Sequence, residues 1–373
     1  MKIALSGGGT GGHIYPALAI AKGLKEMDEE IEILYVGNKN SLEEEIVKKA
    51  GYEFKAIKSH KLNRPFLSFK NIKTLFINLE GFLTSLNILL NFRPDAVIGT
   101  GGFVCGPFVL AAALLRIKTL IHEQNIFPGV TNRLLARFVD CILLTFAETE
   151  KYLKVTSDKR VEVVGLPVRP EIISTSRKEA YAKLGIKDGV FTLVAVGGSQ
   201  GARVLNQAMV TLHKKFAFNE KIQILHLTGK KGYEETKSLL AAEGLEIEKI
   251  PNLVILPYLE EMQYALAIAD LIIGRAGASF LAEVLVRGIP PILIPYPYAS
   301  DNHQVHNARF LKDKGAARMI LEEELSGELL LETVEELYRQ ERIRLEMSKN
   351  CQKLARPDAL NQILKVVLEV AAR

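Results

Sequence analysis

The stretch Lys2-Ile3-Ala4-Leu5-Ser6-Gly7-Gly8-Gly9-Thr10-Gly11-Gly12-His13 decides the fold. A short apolar strand, a turn made almost wholly of glycine and then the helical run Ile14 to Met27 form the arrangement that receives a phosphate or pyrophosphate on backbone N–H groups. An anion is expected to dock here. The spacing Gly7, Gly9, Gly12 also fits the dinucleotide fingerprint, but that fingerprint needs an acid at the end of the second strand to hold the ribose diol. The second strand, Glu32 to Val36, ends instead in Gly37 and Asn38, so NAD is not expected. His13 falls in the first turn beside the expected anion, where an imidazole can accept a proton near neutral pH. Capping or packing is the alternative use of that ring.

Outward from this turn the first part of the chain alternates strand and helix. Ile3 to Leu5, the helix after His13, Glu32 to Val36, a helix from Ser41 to Ala50 and a strand near Phe54 to Ile57 predict a parallel sheet covered on both faces. Asp95-Ala96-Val97-Ile98-Gly99 is a buried strand followed by Thr100-Gly101-Gly102 and a helix from about Pro107 to Leu115. The strand Thr119 to Ile121 ends in His122-Glu123-Gln124-Asn125, polar residues at the carboxyl edge where open α/β sheets bind ligands. Gly165-Leu166-Pro167-Val168-Arg169-Pro170, with two prolines imposing extended backbone, marks a crossing between domains.

The second half restarts in the same style. Phe191 to Val196 is an apolar strand, Gly197-Gly198-Ser199-Gln200-Gly201 a glycine loop and Ala202 to Lys214 a helix. Asp270-Leu271-Ile272-Ile273-Gly274 before Arg275-Ala276-Gly277 echoes Asp95 to Gly102. The pattern predicts two doubly wound, Rossmann-like α/β domains facing a central cleft, residues 1–164 and 165–350, with a C-terminal segment 351–373 whose helix folds back on the first domain. In the second domain, Arg275-Ala276-Gly277 opens a helix at Ala278. A nucleotide diphosphate could lie on its N–H groups while Glu283 accepts the ribose hydroxyls, or Glu283 is a solvated helix acid.

At 373 residues, 48% hydrophobic and 24% charged, the chain has a globular two-domain composition. Cys105, Cys141 and Cys351 are too scattered for a redox or metal pair. No Asp-x-Asp pair and no Walker loop occurs, so neither metal-bridged diphosphate chemistry nor a bound cofactor is expected. A net charge of +5 without a recognised module argues against nucleic acid. The N-terminus reads as neither leader nor anchor, and no segment is expected to reach the ~20 apolar residues of a spanning helix, which implies a cytoplasmic protein. From Lys55 to Lys73, however, there are six cations (Lys55, Lys58, Lys61, Arg64, Lys70, Lys73) and no acid. This basic belt beside Phe66, Leu67 and Phe69 is how a protein sits on an anionic lipid surface. The following apolar stripe, Ile72 to Leu90, is expected in the core.

Five motifs in register, Gly8 to His13, His122 to Asn125, Gly165 to Arg169, Gly197 to Arg203 and Arg275 to Glu283, closely resemble the MurG family, the bacterial N-acetylglucosaminyltransferases of peptidoglycan synthesis. The resemblance spans nearly the whole chain. It implies the GT-B fold, UDP-GlcNAc on the second domain, and undecaprenyl-diphosphate-linked MurNAc-pentapeptide on the first. It also implies a peripheral place on the cytoplasmic face of the cell membrane, with cell-wall synthesis proteins as further partners. By matching position, Thr10, Gly11, Gly12, Asn125, Arg169, Ser199 and Gln200 would contact donor or transfer site, and Leu259 would bond uracil through its backbone. Arg275 and the run Ala278, Ser279, Phe280, Leu281, Ala282, Glu283 would cradle diphosphate and ribose, and Gln304 would reach the GlcNAc hydroxyls. Inversion at the anomeric carbon needs a base for the acceptor hydroxyl, His13 first or Glu123 in reserve. A different lipid acceptor, a UDP-GlcNAc epimerase or a silent nucleotide-sugar sensor on the membrane are the rival readings.

Overall fold

The computed structural model describes residues 1–61, 70–155, 159–198 and 201–372. Contacts divide the chain into one unit of Met1–Pro167 with Asp358–Arg373 and a second of Val168–Pro357. In unit 1 seven strands, β1 (Lys2–Gly7), β2 (Glu32–Asn38), β3 (Glu53–Ile57), β4 (Ala96–Gly101), β5 (Lys118–Glu123), β6 (Cys141–Leu144) and β7 (Arg160–Val163), make a wholly parallel sheet in the order β3-β2-β1-β4-β5-β6-β7. Strand order reverses between β1 and β4, and such a switch point opens a crevice at the carboxyl ends of the strands. The glycine turn after β1 and Gly101-Gly102 at the end of β4 stand on its two sides.

Unit 2 repeats the plan with β8 (Phe191–Val196), β9 (Ile222–Leu227), β10 (Leu253–Leu256), β11 (Leu271–Gly274), β12 (Pro291–Leu293) and β13 (Arg318–Met319), ordered β10-β9-β8-β11-β12-β13 and parallel throughout. Its switch point lies between β8 and β11, between the Gly197 loop and Arg275-Ala276-Gly277. Continuous Val, Ile and Leu runs mark these strands because both faces of each sheet are covered. In unit 1, helix α1 (Gly11–Met27) and the terminal helix Ala359–Ala371 share one core cluster, in which Ile14, Ile20, Leu24, Ile363, Leu364 and Val367 are buried. Each such side chain contributes about 2 kcal/mol by leaving water. Gly23 lies inside α1 for a packing reason, since a Cβ there would sit 2.7 Å from Leu364.

Helices α2 (Leu42–Lys49), α3 (Lys70–Phe92) and α4 (Cys105–Leu114) complete the part of unit 1 that bears on the site. The apolar stripe of α3 corrects the expectation of a core helix. Phe82, Leu86, Ile88, Leu89 and Phe92 do join the core. Ile72, Leu75, Phe76, Leu79, Leu83 and Leu90 instead face outward, Leu75 and Phe76 at 66% and 69% exposure. The residues that α3 buries before Leu89 are polar or small: Asn71, Thr74, Gly81 and Ser85. The cause is the backbone of residues 58–60. A Cβ on Gly81 would meet the Lys58 carbonyl at 2.0 Å. Asn78 accepts from His60 N–H (2.9 Å) and Ser59 Oγ (3.1 Å) and donates to His60 O (3.1 Å). Polar backbone at this seam demands polar partners, so the oily side turns outward. Residues Asn71–Phe92 are also long and apolar enough to cross a membrane by length and composition, which the sequence reading did not expect. Lys61 and Lys73 are exposed. Arg64, Phe66, Leu67, Phe69 and the Lys70 side chain lie outside the described residues.

Candidate functional site

At the switch point of unit 1 two glycine turns dock on each other. Gly8 N–H donates to Gly101 O at 3.2 Å, and a Cβ on Gly102 (φ 87°) would stand 2.2 Å from Gly8 O. Only glycine permits that approach. The helix opens at Gly11, earlier than expected, and puts His13 in its first turn. The ring lies against Gly101, where a Cβ would come 2.8 Å from His13 Cδ2. His13 Nδ1 is 2.9 Å from Gly8 O. A carbonyl only accepts, so Nδ1 carries the proton of the neutral ring and Nε2 is its basic nitrogen.

The glycine run itself is engaged from beneath. Glu43, on α2 and 1% exposed, accepts from Gly9 N–H at 3.3 Å and from Asn38 N–H at 3.2 Å. The N–H groups of Gly8 and Gly9 are thus bonded internally, which leaves the expectation of an anion to the first turn of α1, at Thr10, Gly11 and Gly12. This narrows the expected cradle to its downstream half.

Behind His13 a chain of bonds crosses the sheet. Thr100 Oγ1 donates to His13 O (2.7 Å), and Gln124 Nε2 donates to Thr100 O (2.8 Å) and to His122 Nδ1 (3.0 Å). His122 Nε2–H donates to Gly165 O at 2.8 Å. Burial pushes the His122 pKa down to about 4, so this ring stays neutral and its tautomer is fixed. Glu123, the reserve base, is 2% exposed, and both of its oxygens are occupied. One accepts from Asn125 N–H (3.0 Å) and Nδ2 (3.2 Å), the other from Gly129 N–H (3.0 Å) and Asn132 Nδ2 (2.9 Å). A carboxylate so bonded organises the 125–129 loop and orients Asn125. So engaged, it is less suited than His13 to collect a substrate proton.

In unit 2 the crossing residue Arg169 reaches Glu283 on the helix Ala278–Arg287, Nη2 to Oε1 at 3.7 Å. Burial raises the Glu283 pKa and Arg169 opposes it. Gly277 is the N-cap of this helix, which points its first-turn amides, from Ala278 and Ser279 onward, out of the sheet edge. Leu281 and Ala282 are buried, and Phe280 packs on Gly274, where a Cβ would be 2.8 Å from its ring. Leu259 follows β10 and packs partly on the second core cluster of the unit. Arg275 pairs with Glu322 at 2.5 Å, donates to Ile294 O at 3.1 Å and stacks on Tyr296. It therefore braces the 294–296 segment. Gln304 Oε1 accepts from Ala276 N–H (3.2 Å) and Tyr296 N–H (3.0 Å), which turns its amide nitrogen the other way. Buried Asn307, one helical turn on, donates to Ala276 O at 3.1 Å. Ser199 and Gln200 lie outside the described residues. Sequence reasoning missed Glu43, Thr100, Asn132 and Asn307, of which only Asn307 carried a signal, its i,i+3 spacing from Gln304 on one helix face.

Comparison with known proteins agrees with this layout. The glycosyltransferase family 28 N-terminal domain matches residues 3–144 and the glycosyltransferase family 28 C-terminal domain residues 192–363. A relative from Desulforamulus reducens is 47% identical over 373 residues, all of both chains, and one from Halothermothrix orenii 44% identical over 371 residues, 100% of this chain and 99% of the other. Both are named UDP-N-acetylglucosamine–N-acetylmuramyl-(pentapeptide) pyrophosphoryl-undecaprenol N-acetylglucosamine transferase. The solved structure of Acinetobacter baumannii MurG superposes with a TM-score of 0.79 at 29% identity, covering 99% of each chain. UDP-GlcNAc 2-epimerase from Neisseria meningitidis, at TM-score 0.67 and 14% identity over 99% of this chain and all of that one, shares the fold alone. The fold is GT-B, and by full-length identity the chain belongs to glycosyltransferase family 28.

Proposed function

We propose that the chain transfers GlcNAc from UDP-GlcNAc, with inversion, to the 4-hydroxyl of MurNAc in undecaprenyl-diphosphate-linked MurNAc-pentapeptide, giving the β-1,4 disaccharide lipid. The observation that carries this reading is end-to-end identity of 44–47% with transferases named for that reaction. The glycine turns at both switch points, each beside a helix N-terminus, support it independently.

UDP is assigned to unit 2. The first-turn amides at Ala278 and Ser279 meet the diphosphate and Glu283 the ribose hydroxyls, while Arg169 and the helix dipole offset charge on the departing diphosphate. Leu259 offers backbone bonds to uracil, and Gln304, its oxygen already committed, offers its amide nitrogen to the sugar hydroxyls. Ser199 and Gln200 remain assigned to the donor. The acceptor is assigned to unit 1, with Thr10, Gly11, Gly12 and Asn125 about the reacting sugar. His13 Nε2 takes the proton of the 4-hydroxyl as that oxygen forms its bond to the anomeric carbon, and UDP leaves with the electrons of the broken C–O bond. A positioned base supplies a factor of ~10² to 10⁴.

The outward apolar face of α3, with Lys61 and Lys73 exposed near its amino end, supports a peripheral seat on the anionic cytoplasmic leaflet, where the acceptor's lipid is anchored. The test is incubation of the purified chain with radiolabelled UDP-GlcNAc and the lipid-diphosphate MurNAc-pentapeptide. Label should partition into the lipid phase. Label confined to the aqueous phase, with the donor intact, would overturn the proposal.

A further inference from the structure

Glu43 is a buried carboxylate that the transfer reaction does not use directly. Among the described residues no cation pairs with it, and leaving an acid in such a place is costly unless the fold or the chemistry needs it. Room is made for it by two glycines: a Cβ on Gly8 would stand 2.6 Å from its Oε1, and one on Gly37 2.8 Å from its Cγ. Its Oε2 takes the N–H of Gly9 at 3.3 Å. The carbonyl of the same peptide unit, Gly8 C=O, takes Nδ1–H of His13 at 2.9 Å. Carboxylate, one peptide group and imidazole therefore stand in series.

From this geometry we propose that Glu43 is a positioning residue, acting through the Gly8–Gly9 peptide to fix the His13 tautomer and to strengthen Nε2 as a base. A carboxylate on the N–H side polarises the peptide and makes its carbonyl a better acceptor, as in other chains of hydrogen bonds. A better acceptor at Nδ1–H favours the imidazolium, the role a carboxylate plays directly on the histidine of a catalytic triad. Glu44 and Glu45 follow it on the same helix, and two further titratable groups beside Glu43, Tyr35 and Cys105, are donors committed elsewhere. Tyr35 Oη donates to Gly7 O (2.6 Å), and the Cys105 thiol, its pKa raised to about 12 by burial, donates to Ser6 O (2.8 Å) and Gly101 O (2.9 Å). Around the ring, Thr10 Oγ1 lies 3.4 Å from Nδ1, too long to replace Gly8 O.

The inference rests on His13 being the base, and the test separates the two. Glu43→Gln keeps shape but loses charge, and its amide nitrogen opposes either Gly9 N–H or Asn38 N–H. With the base weakened, plateau kcat should fall about tenfold while donor KM holds. The acidic limb of the pH–rate profile should move to lower pH, because a less basic imidazole stays deprotonated further down. A limb left in place overturns the relay, whatever happens to kcat, since a merely structural defect lowers the rate without moving the limb. His13→Ala with normal turnover overturns the base reading instead. If Glu43→Gln folds poorly, nitrogen-15 shifts of His13 in the unaltered protein decide. Protonated Nδ1 and unprotonated Nε2 in the neutral ring are expected, and the opposite tautomer overturns the relay.

Discussion

Three histidines deep in the two units should make them acid-labile to different degrees. In unit 2 the proton positions follow from the partners. Asn206 Nδ2 donates to Thr228 O (3.0 Å), so its Oδ1 receives His226 Nε2–H (3.1 Å), and His226 Nδ1 must then accept from His213 Nε2–H (3.0 Å). His213 Nδ1, the unprotonated nitrogen of that ring, is left buried with no hydrogen-bond partner. A proton added to His226 would face another N–H, and one added to His213 would find no partner. Burial accordingly pushes His213 down to about 3 and His226 well below the ordinary value, as it pushes His122 in unit 1 to about 4. All three titrate near 6.5 once unfolded. Because the unfolded chain binds more protons, stability is fully present above 6.5 and lost as pH falls from there toward the folded values. A histidine held at about 4 or below, as His122 and His213 are, removes a little over 1 kcal/mol per pH unit, hence about 2 kcal/mol at pH 5. Unit 1, with one such ring, should lose about 2 kcal/mol between pH 7 and 5, and unit 2, where His226 adds to His213, should lose more. Pulse proteolysis in urea, with peptide mapping to follow each unit, measures this. His213→Leu should reduce the pH dependence of unit 2. Equal acid sensitivity of the two units, or a His213→Leu variant as acid-labile as its parent, would refute the reasoning.

Further outcomes concern the site itself. His13→Ala should lower kcat by about 100-fold or more at unchanged UDP-GlcNAc affinity measured by calorimetry; a variant with normal turnover removes the assignment. Glu123→Gln leaves an amide nitrogen facing the donors on one side of the 125–129 loop and should cost about 2–3 kcal/mol of stability. The acidic limb of its pH–rate profile should stay in place, in contrast to Glu43→Gln, and a moved limb would reinstate Glu123 as an acid–base group. Replacing Leu75, Phe76 and Leu79 together by serine should abolish sedimentation with anionic vesicles, and binding retained in full would mean that α3 does not hold the protein to lipid.

The doubly wound fold was legible because glycine turns followed parallel-type apolar strands in both halves, and those strands order themselves around two switch points. The orientation of α3 was not. Its periodicity shows one apolar face and one small or polar face, and nothing in the sequence says that Asn78 and Gly81 must pack against the backbone of 58–60. Glu43 was hidden for a different reason. It sits in Glu43-Glu44-Glu45, ordinary first-turn acids after the N-cap Ser41, whose Oγ accepts from Glu44 N–H at 3.3 Å. The positions of Gly8, Gly37 and Asn38 around the helix start distinguish the three. His213 and His226 lie in different elements, and no motif joins them.

The configuration of the transferred sugar tests the proposed chemistry most directly. Purified chain, UDP-GlcNAc and the undecaprenyl-diphosphate MurNAc-pentapeptide should yield a lipid whose new anomeric proton shows the large coupling of a β-linkage at O4 of MurNAc. An α-linked product, or free GlcNAc with the acceptor unchanged, would contradict inversion by a base-activated hydroxyl.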